Sequence, residues 1–176
     1  MPDNFFDTSA LQHRYVNGPH SRRVRQLLGR ADARSRIADS TILEMASALA
    51  NRCRSNGWGL KSFDRLHHQF LDDVANEVFA VRTAGMREVQ RAVHLIRFAG
   101  VVKKRGLKSA DALIAAGALE YALEVQQTVN FYTSDWPLYA CLRDLNAFRT
   151  TMNLFLVGST KDGSEPFCRT VRPART

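Results

Sequence analysis

Apolar and polar positions follow two periods along this chain of 176 residues. Short runs bounded by polar or turn residues predict buried strands: NFFD at 4–7, RIAD at 36–39, VFAVR at 78–82, NFYTSD at 130–135 and NLFLVG at 153–158. Between them, apolar residues recur every three or four positions and predict helices. Val24, Leu27 and Leu28 mark one in SRRVRQLLGRA, and others run through TILEMASALANRC (41–53), with Gly57 as a later stop, and FDRLHHQFLDDVANEV (63–78). Three more lie in MREVQRAVHLIRFA (86–99), SADALIAAGALEYALEV (109–125) and WPLYACLRDL (136–145), where Pro137 suits the first turn. Strands alternating with helices imply an α/β fold with a parallel sheet covered on both faces. Residues 1–158 are expected to form one domain. The Ser-, Gly-, Pro- and Arg-containing segment 159–176 is expected to be a basic, flexible tail.

In an open parallel sheet, ligands sit beyond the carboxyl ends of the strands. Four acids fall at such ends or in the helical turns that follow them: Asp7, Glu44, Asp111 and Asp135. Each has a structural explanation. Thr41 and Glu44 have capping-box spacing. Asp111 would complement the helix dipole behind an N-cap Ser109. Asp135 could itself be an N-cap, and Asp7 could close an Asx-turn with the amide of Ser9. Serine, threonine or asparagine would cap as well without mutual repulsion, so four acids gathered at one edge imply a compensating cation. Carboxylate oxygens suit Mg2+ or Mn2+.

Charge adds to this picture. Lysine and arginine number 25 against 17 aspartates and glutamates, a net charge of +8. Basic residues cluster at 21–36, including Arg22, Arg23 and Arg25, and at 101–108, including Lys103, Lys104 and Arg105. Such patches attract polyanions, and arginine forks match phosphate oxygens, although each patch alone could be a solvated helix face. A hard cation held by carboxylates within a basic surface points to phosphodiester chemistry.

Other classes recede. No apolar run is long enough for a membrane span, and MPDN does not open a secretory signal. Cys53, Cys141 and Cys168 are odd in number and lack CxxC spacing, which suits free thiols in a reducing cytoplasm. His67 and His68 are adjacent and point apart, a poor metal pair. Gly57 and Gly59 around Trp58 match no phosphate-cradling pattern. A haloacid-dehalogenase-like phosphatase would want a second acid at position 9, where this chain has Ser9.

FFDTSAL, TILEMASALA, LKSADALIAAGAL and FYTSD occur here in the order of the motifs of PIN-domain ribonucleases. Over residues 4–157 the chain resembles that family, and within it the VapC-type toxins of toxin–antitoxin pairs. The resemblance implies a PIN-like three-layer α/β/α sandwich with a central parallel sheet. It implies a metal-dependent endoribonuclease with Asp7, Glu44, Asp111 and Asp135 as catalytic and metal-holding acids and Mg2+ or Mn2+ as cofactor. Thr133 matches a supporting hydroxyl, as does Ser9. If two ions are bound, the second can neutralise the leaving group and give a 3′-hydroxyl and a 5′-phosphate, with the two basic patches as RNA-binding surface. Expected partners are RNA, a cognate antitoxin and a second copy in a homodimer. The alternative is a non-catalytic RNA-binding or interaction module that keeps the PIN fold. Trp136-Pro137 after Asp135 departs from the family pattern, and the tail matches no motif.

Overall fold

The computed structural model describes residues 3–30 and 33–157; the expected basic tail, with Cys168, lies outside the described residues. Phe5 and Phe6 are both fully buried, yet a strand sends neighbouring side chains to opposite faces. Both faces of the strand must therefore be covered. They are: Phe5 stacks on Phe131 in one core, and Phe6 stacks on Tyr132 in the other.

Five strands form one parallel sheet: β1 (Asp3–Phe6), β2 (Arg34–Ala38), β3 (Ala80–Arg82), β4 (Val129–Thr133) and β5 (Met152–Leu156). Their spatial order is β3-β2-β1-β4-β5. The connections supply the two outer layers. Helices α1 (Thr8–Leu11), α2 (Ser21–Leu28), α3 (Ser40–Ser55) and α4 (Leu60–Ala75) cover one face, around Leu11, Val24, Met45, Leu49 and Phe70. Helices α5 (Met86–Arg97), α6 (Ser109–Val125), α7 (Trp136–Arg143) and α8 (Asn146–Thr151) cover the other, around Ile114, Leu119, Leu138 and Phe148. This is a three-layer α/β/α sandwich, as expected. Among the described residues, no helix is long and apolar enough to cross a membrane.

The strand order places the candidate site. From β1 the chain steps outward to β2 and β3, then crosses back to β4 on the far side of β1. The direction of winding thus reverses between β1 and β4. At such a switch point, the connections leave on opposite faces and open a crevice beyond the carboxyl ends of the strands. Asp7 follows β1 there, and Thr133 ends β4.

Several elements differ from the sequence expectation. Helices α1 and α8 and a 3-10 turn at Gln12–Arg14 are too short to show a helical period. Val78 and Phe79 precede β3 instead of pairing in it, because Glu77 turns the chain with φ of 55°. Helix α5 passes into a π-helical segment, Phe98–Val102.

Candidate metal centre

Each acid is placed by an ordinary backbone feature. The Asp7 N–H donates to the Tyr132 carbonyl at 2.9 Å, which continues the β1–β4 ladder one residue past the strand. That bond fixes the direction of the Asp7 side chain, which is 1% exposed. Glu44 sits one turn into α3 and Asp111 in the first turn of α6. Carboxylate oxygens of Asp7, Glu44 and Asp111 lie within 4.8 Å of one another.

Two of the three acids are held by hydroxyls. Ser9 Oγ and Thr133 Oγ1 both donate to Asp7 Oδ2, the latter at 2.8 Å. Those hydroxyls are fixed in turn: the Ser134 amide donates to Ser9 Oγ at 2.8 Å, and the Asp135 amide to Thr133 Oγ1 at 3.0 Å. Thr8 Oγ1 donates to Glu44 Oε2 at 2.6 Å. Neither Thr8 nor the Ser134 amide was singled out in the sequence. The only signal for Thr8 is its place directly after Asp7 in FFDTSAL.

Three expected capping roles are not what the structure holds. Asp39, not Thr41, stands at the N-cap of α3, where its carboxylate accepts from the Ser40 amide at 2.7 Å. Thr41 is buried inside the helix with its hydroxyl unpartnered, so no capping box forms and Glu44 turns to Thr8. Lys108 occupies the N-cap position of α6, because the helix already begins at Ser109. Asp7 closes no Asx-turn; it accepts from the hydroxyl of Ser9, and Asp7 Oδ1 is buried without any partner.

Asp135 differs from the other three. Its Oδ1 accepts from the Leu138 amide at 2.7 Å, so it caps α7, with Pro137 in the first turn. Its charge still reaches the cluster and raises the pKa of both Asp7 and Asp111. Capping and charge can be separated by substitution. Asp135→Ser keeps a capping oxygen and should hold stability close to the parent. Asp135→Ala should cost about 1 kcal/mol, within the ~0.5–2 kcal/mol range of lost caps. Chemical denaturation of both variants checks this; equal stabilities would remove the cap from the account.

The electrostatics call for a cation. Burial is the main cause that pushes the Asp7 carboxyl up to about 6; its two hydroxyl donors pull it down, and Glu44 and Asp135 push it further up. Asp111 is pushed up to about 7, first by burial and then by Asp7 and Glu44, with Lys108 opposing. Crowded carboxylates are thus forced toward protonation unless positive charge joins them. An orphaned buried carboxylate oxygen and an all-oxygen donor set fit a hard divalent ion.

The remaining candidates lie elsewhere. Among the described residues, the only group of three or more acids, histidines or cysteines suited to a metal is Asp7, Glu44 and Asp111. His67 stacks on Phe63, and His68 Nδ1 lies 2.7 Å from the Asp64 carbonyl. Cys53 and Cys141 are buried free thiols. Arg22 and Arg23 are exposed on α2, whereas Arg25 is engaged by the Arg14 carbonyl and Asn17 Oδ1. Lys103 pairs with Asp144 at 3.0 Å, while Lys104 and Arg105 are exposed.

No family model and no curated protein matches the sequence. Solved structures do match in fold. One is VapBC-5 from Mycobacterium tuberculosis, a member of the VapBC family of toxin–antitoxin systems. It matches with a TM-score of 0.57 and 14% identity, over 89% of this chain and all of that one. FitAcB from Neisseria gonorrhoeae matches with a TM-score of 0.56 and 17% identity, over 78% of this chain and 91% of that one. VapBC2 from Rickettsia felis, bound to a DNA fragment of its promoter, gives 0.52 and 12%, over 76% and 87%. With that likeness and the architecture above, the chain has the PIN-like three-layer α/β/α fold, shared with structures of VapBC toxin–antitoxin systems.

Proposed function

We propose that this chain is a metal-dependent endoribonuclease and the toxin of a toxin–antitoxin pair. One observation carries the reading: three carboxylates within 4.8 Å at a topological switch point, one with a buried oxygen that has no partner. Asp7, Glu44 and Asp111 would hold Mg2+ or Mn2+, with Asp135 adding negative charge from the cap of α7. A bound divalent ion supplies Lewis-acid activation of water and neutralises charge at a phosphoryl group.

The chain's own residues prepare that chemistry. Ser9 and Thr133 orient Asp7, and Thr8 orients Glu44, so both carboxylates are aligned before any cation arrives. Asp111, with its pKa near 7, is protonated part of the time around neutrality. It must release that proton to act as a ligand, so cation binding weakens as pH falls. The basic patches at Arg22, Arg23 and Arg25 and at Lys103, Lys104 and Arg105 add affinity for the RNA backbone without reading sequence. The likeness to structures of toxin–antitoxin systems supports a cognate antitoxin as partner; the motif resemblance adds a second copy of this chain, and the free thiols suit the cytoplasm.

The test is direct. Purified protein incubated with structured RNA and Mg2+ or Mn2+ should generate 5′-phosphate ends, and EDTA should stop it. RNA bound but left intact with either ion would overturn the nuclease and leave a non-catalytic RNA-binding module.

A further inference from the structure

A groove of about 570 Å³ opens on the α1–α4 face, between the 3-10 turn, the start of α2 and α4. Arg14, Arg25 and Arg65 line it against a single acid, Asp73. Asp73 is already spent: it accepts from Nε and Nη2 of Arg14, at 2.6 and 2.8 Å, and from the Tyr15 hydroxyl at 2.8 Å. Arg65 is exposed and enters no ion pair among the described residues. The groove therefore offers positive charge with no acid left to balance it.

At its rim stands Trp58, 41% exposed. The end of α3 holds it there. Gly57 adopts φ of +66°, its N–H donates to the Arg54 carbonyl, and the Trp58 N–H donates to the Cys53 carbonyl at 2.8 Å. These are the two bonds of a Schellman turn, and the left-handed residue is the glycine such a turn favours. A rigid turn thus presents a flat aromatic surface beside arginine forks.

We propose that this groove anchors one nucleotide of a single-stranded RNA segment, with its base against the Trp58 indole and its phosphate on Arg65 and on Nη1 of Arg25, whose Nε and Nη2 are held by Arg14 and Asn17. The proposal rests on the RNA reading above and deepens it by naming the form of substrate. Aromatic rings take bases of any identity by stacking, and guanidinium forks suit phosphate oxygens. The volume falls in the range of small-ligand sites. A duplex keeps its base faces stacked inside, so only an unpaired nucleotide can meet the indole. The anchor is separate from the acids: Glu44 and Cys53 are nine residues apart on α3, about 14 Å along the helix axis.

The chain has two tryptophans, so Trp136→Phe leaves Trp58 as the sole indole reporter. In EDTA, where no cleavage occurs, a short single-stranded oligonucleotide should quench the fluorescence of that variant. Its duplex should not. Trp58→Ala should weaken single-strand affinity about tenfold, in line with the stacking of one base. Arg65→Ala, at an exposed position that leaves the core untouched, should lower the salt slope of binding by about one phosphate contact. Absent quenching, or unchanged affinity and salt slope in both groove variants, would overturn the proposal. A duplex that quenches equally would do the same. So would an oligoglutamate peptide that alters the fluorescence where the oligonucleotide does not, because the groove would then suit an acidic protein segment. These readouts need no catalysis: a protein that cuts RNA but shows no quenching loses only the anchor, and one that quenches but never cuts loses only the nuclease.

Discussion

Asp7→Asn should lower RNA cleavage by at least about a hundredfold, while RNA affinity measured in EDTA stays close to the parent. The size follows from removing one anionic ligand from a site asked to supply several kcal/mol of charge stabilisation, when each ~1.4 kcal/mol is tenfold in rate. The substitution is clean because asparagine keeps the shape. The side-chain carbonyl of the introduced asparagine can still accept from Ser9 and Thr133, the donors that hold Asp7 Oδ2. Its amide would take the place of Asp7 Oδ1, which has no partner to lose. The fold should not suffer either. Burial pushes Asp7 up to about 6, so near neutral pH the metal-free protein holds a charge it is better without. Thermal unfolding in EDTA should then show Asp7→Asn at least as stable as the parent. A variant that cuts RNA at the parental rate would remove Asp7 from the chemistry and with it the metal site.

Much of this site was legible in the sequence because parallel sheets obey a placement rule. Once NFFD and NFYTSD are strands, Asp7 and Thr133 must come to the same edge, whatever the rest of the chain does. Glu44 and Asp111 were legible as acids in the first turns of helices. The reason for Glu44 was not. Its spacing from Thr41 fits a capping box, but the N-cap of α3 lies two residues earlier, on Asp39, and this turns Thr41 inward and leaves Glu44 to Thr8. A two-residue shift in a helix start is below what periodicity resolves. The hydroxyl network was hidden for another reason: Ser9, Thr133 and the Ser134 amide meet across about 125 positions of chain. The groove beside Trp58 was hidden too, since Arg14, Arg25, Arg65 and Trp58 come from separate segments that only packing joins. The short elements α1 and α8 carry no period to read, and the register of β3 was set by the turn at Glu77.

Asp111 separates a helix-dipole role from a metal-site role by the sign of its effect on stability. If Asp111 only complements the dipole of α6, Asp111→Ala should cost roughly 0.5–1 kcal/mol, with or without metal. If it belongs to the cluster, metal-free protein should behave differently. Its carboxyl titrates near 7 in the folded chain and near 3.8 when unfolded, so between those values the native state binds more protons. Stability from this group is then fully present below about pH 4 and is lost as pH rises through 7. His13 works in the opposite direction: burial and the neighbouring His20 and Arg52 pull it down to about 4, so its contribution grows as pH rises from 4 to 6.5. Both proteins carry His13, and the comparison cancels it. In EDTA, Asp111→Ala should therefore gain on the parent as pH is raised from 4 to 8, by on the order of 2–4 kcal/mol. Adding Mg2+ or Mn2+ at pH 8 should reverse the order. The parent gains about 2.7 kcal/mol when the ion is present at a hundred times its dissociation constant, because the ion binds only the folded site, and the variant should forfeit most of that gain. Thermal unfolding of both proteins across pH, with EDTA and with metal, reads all of this. A variant destabilised by the same small amount at every pH and in both conditions would make Asp111 a helix-start residue and leave Asp7 and Glu44 too few to hold the ion.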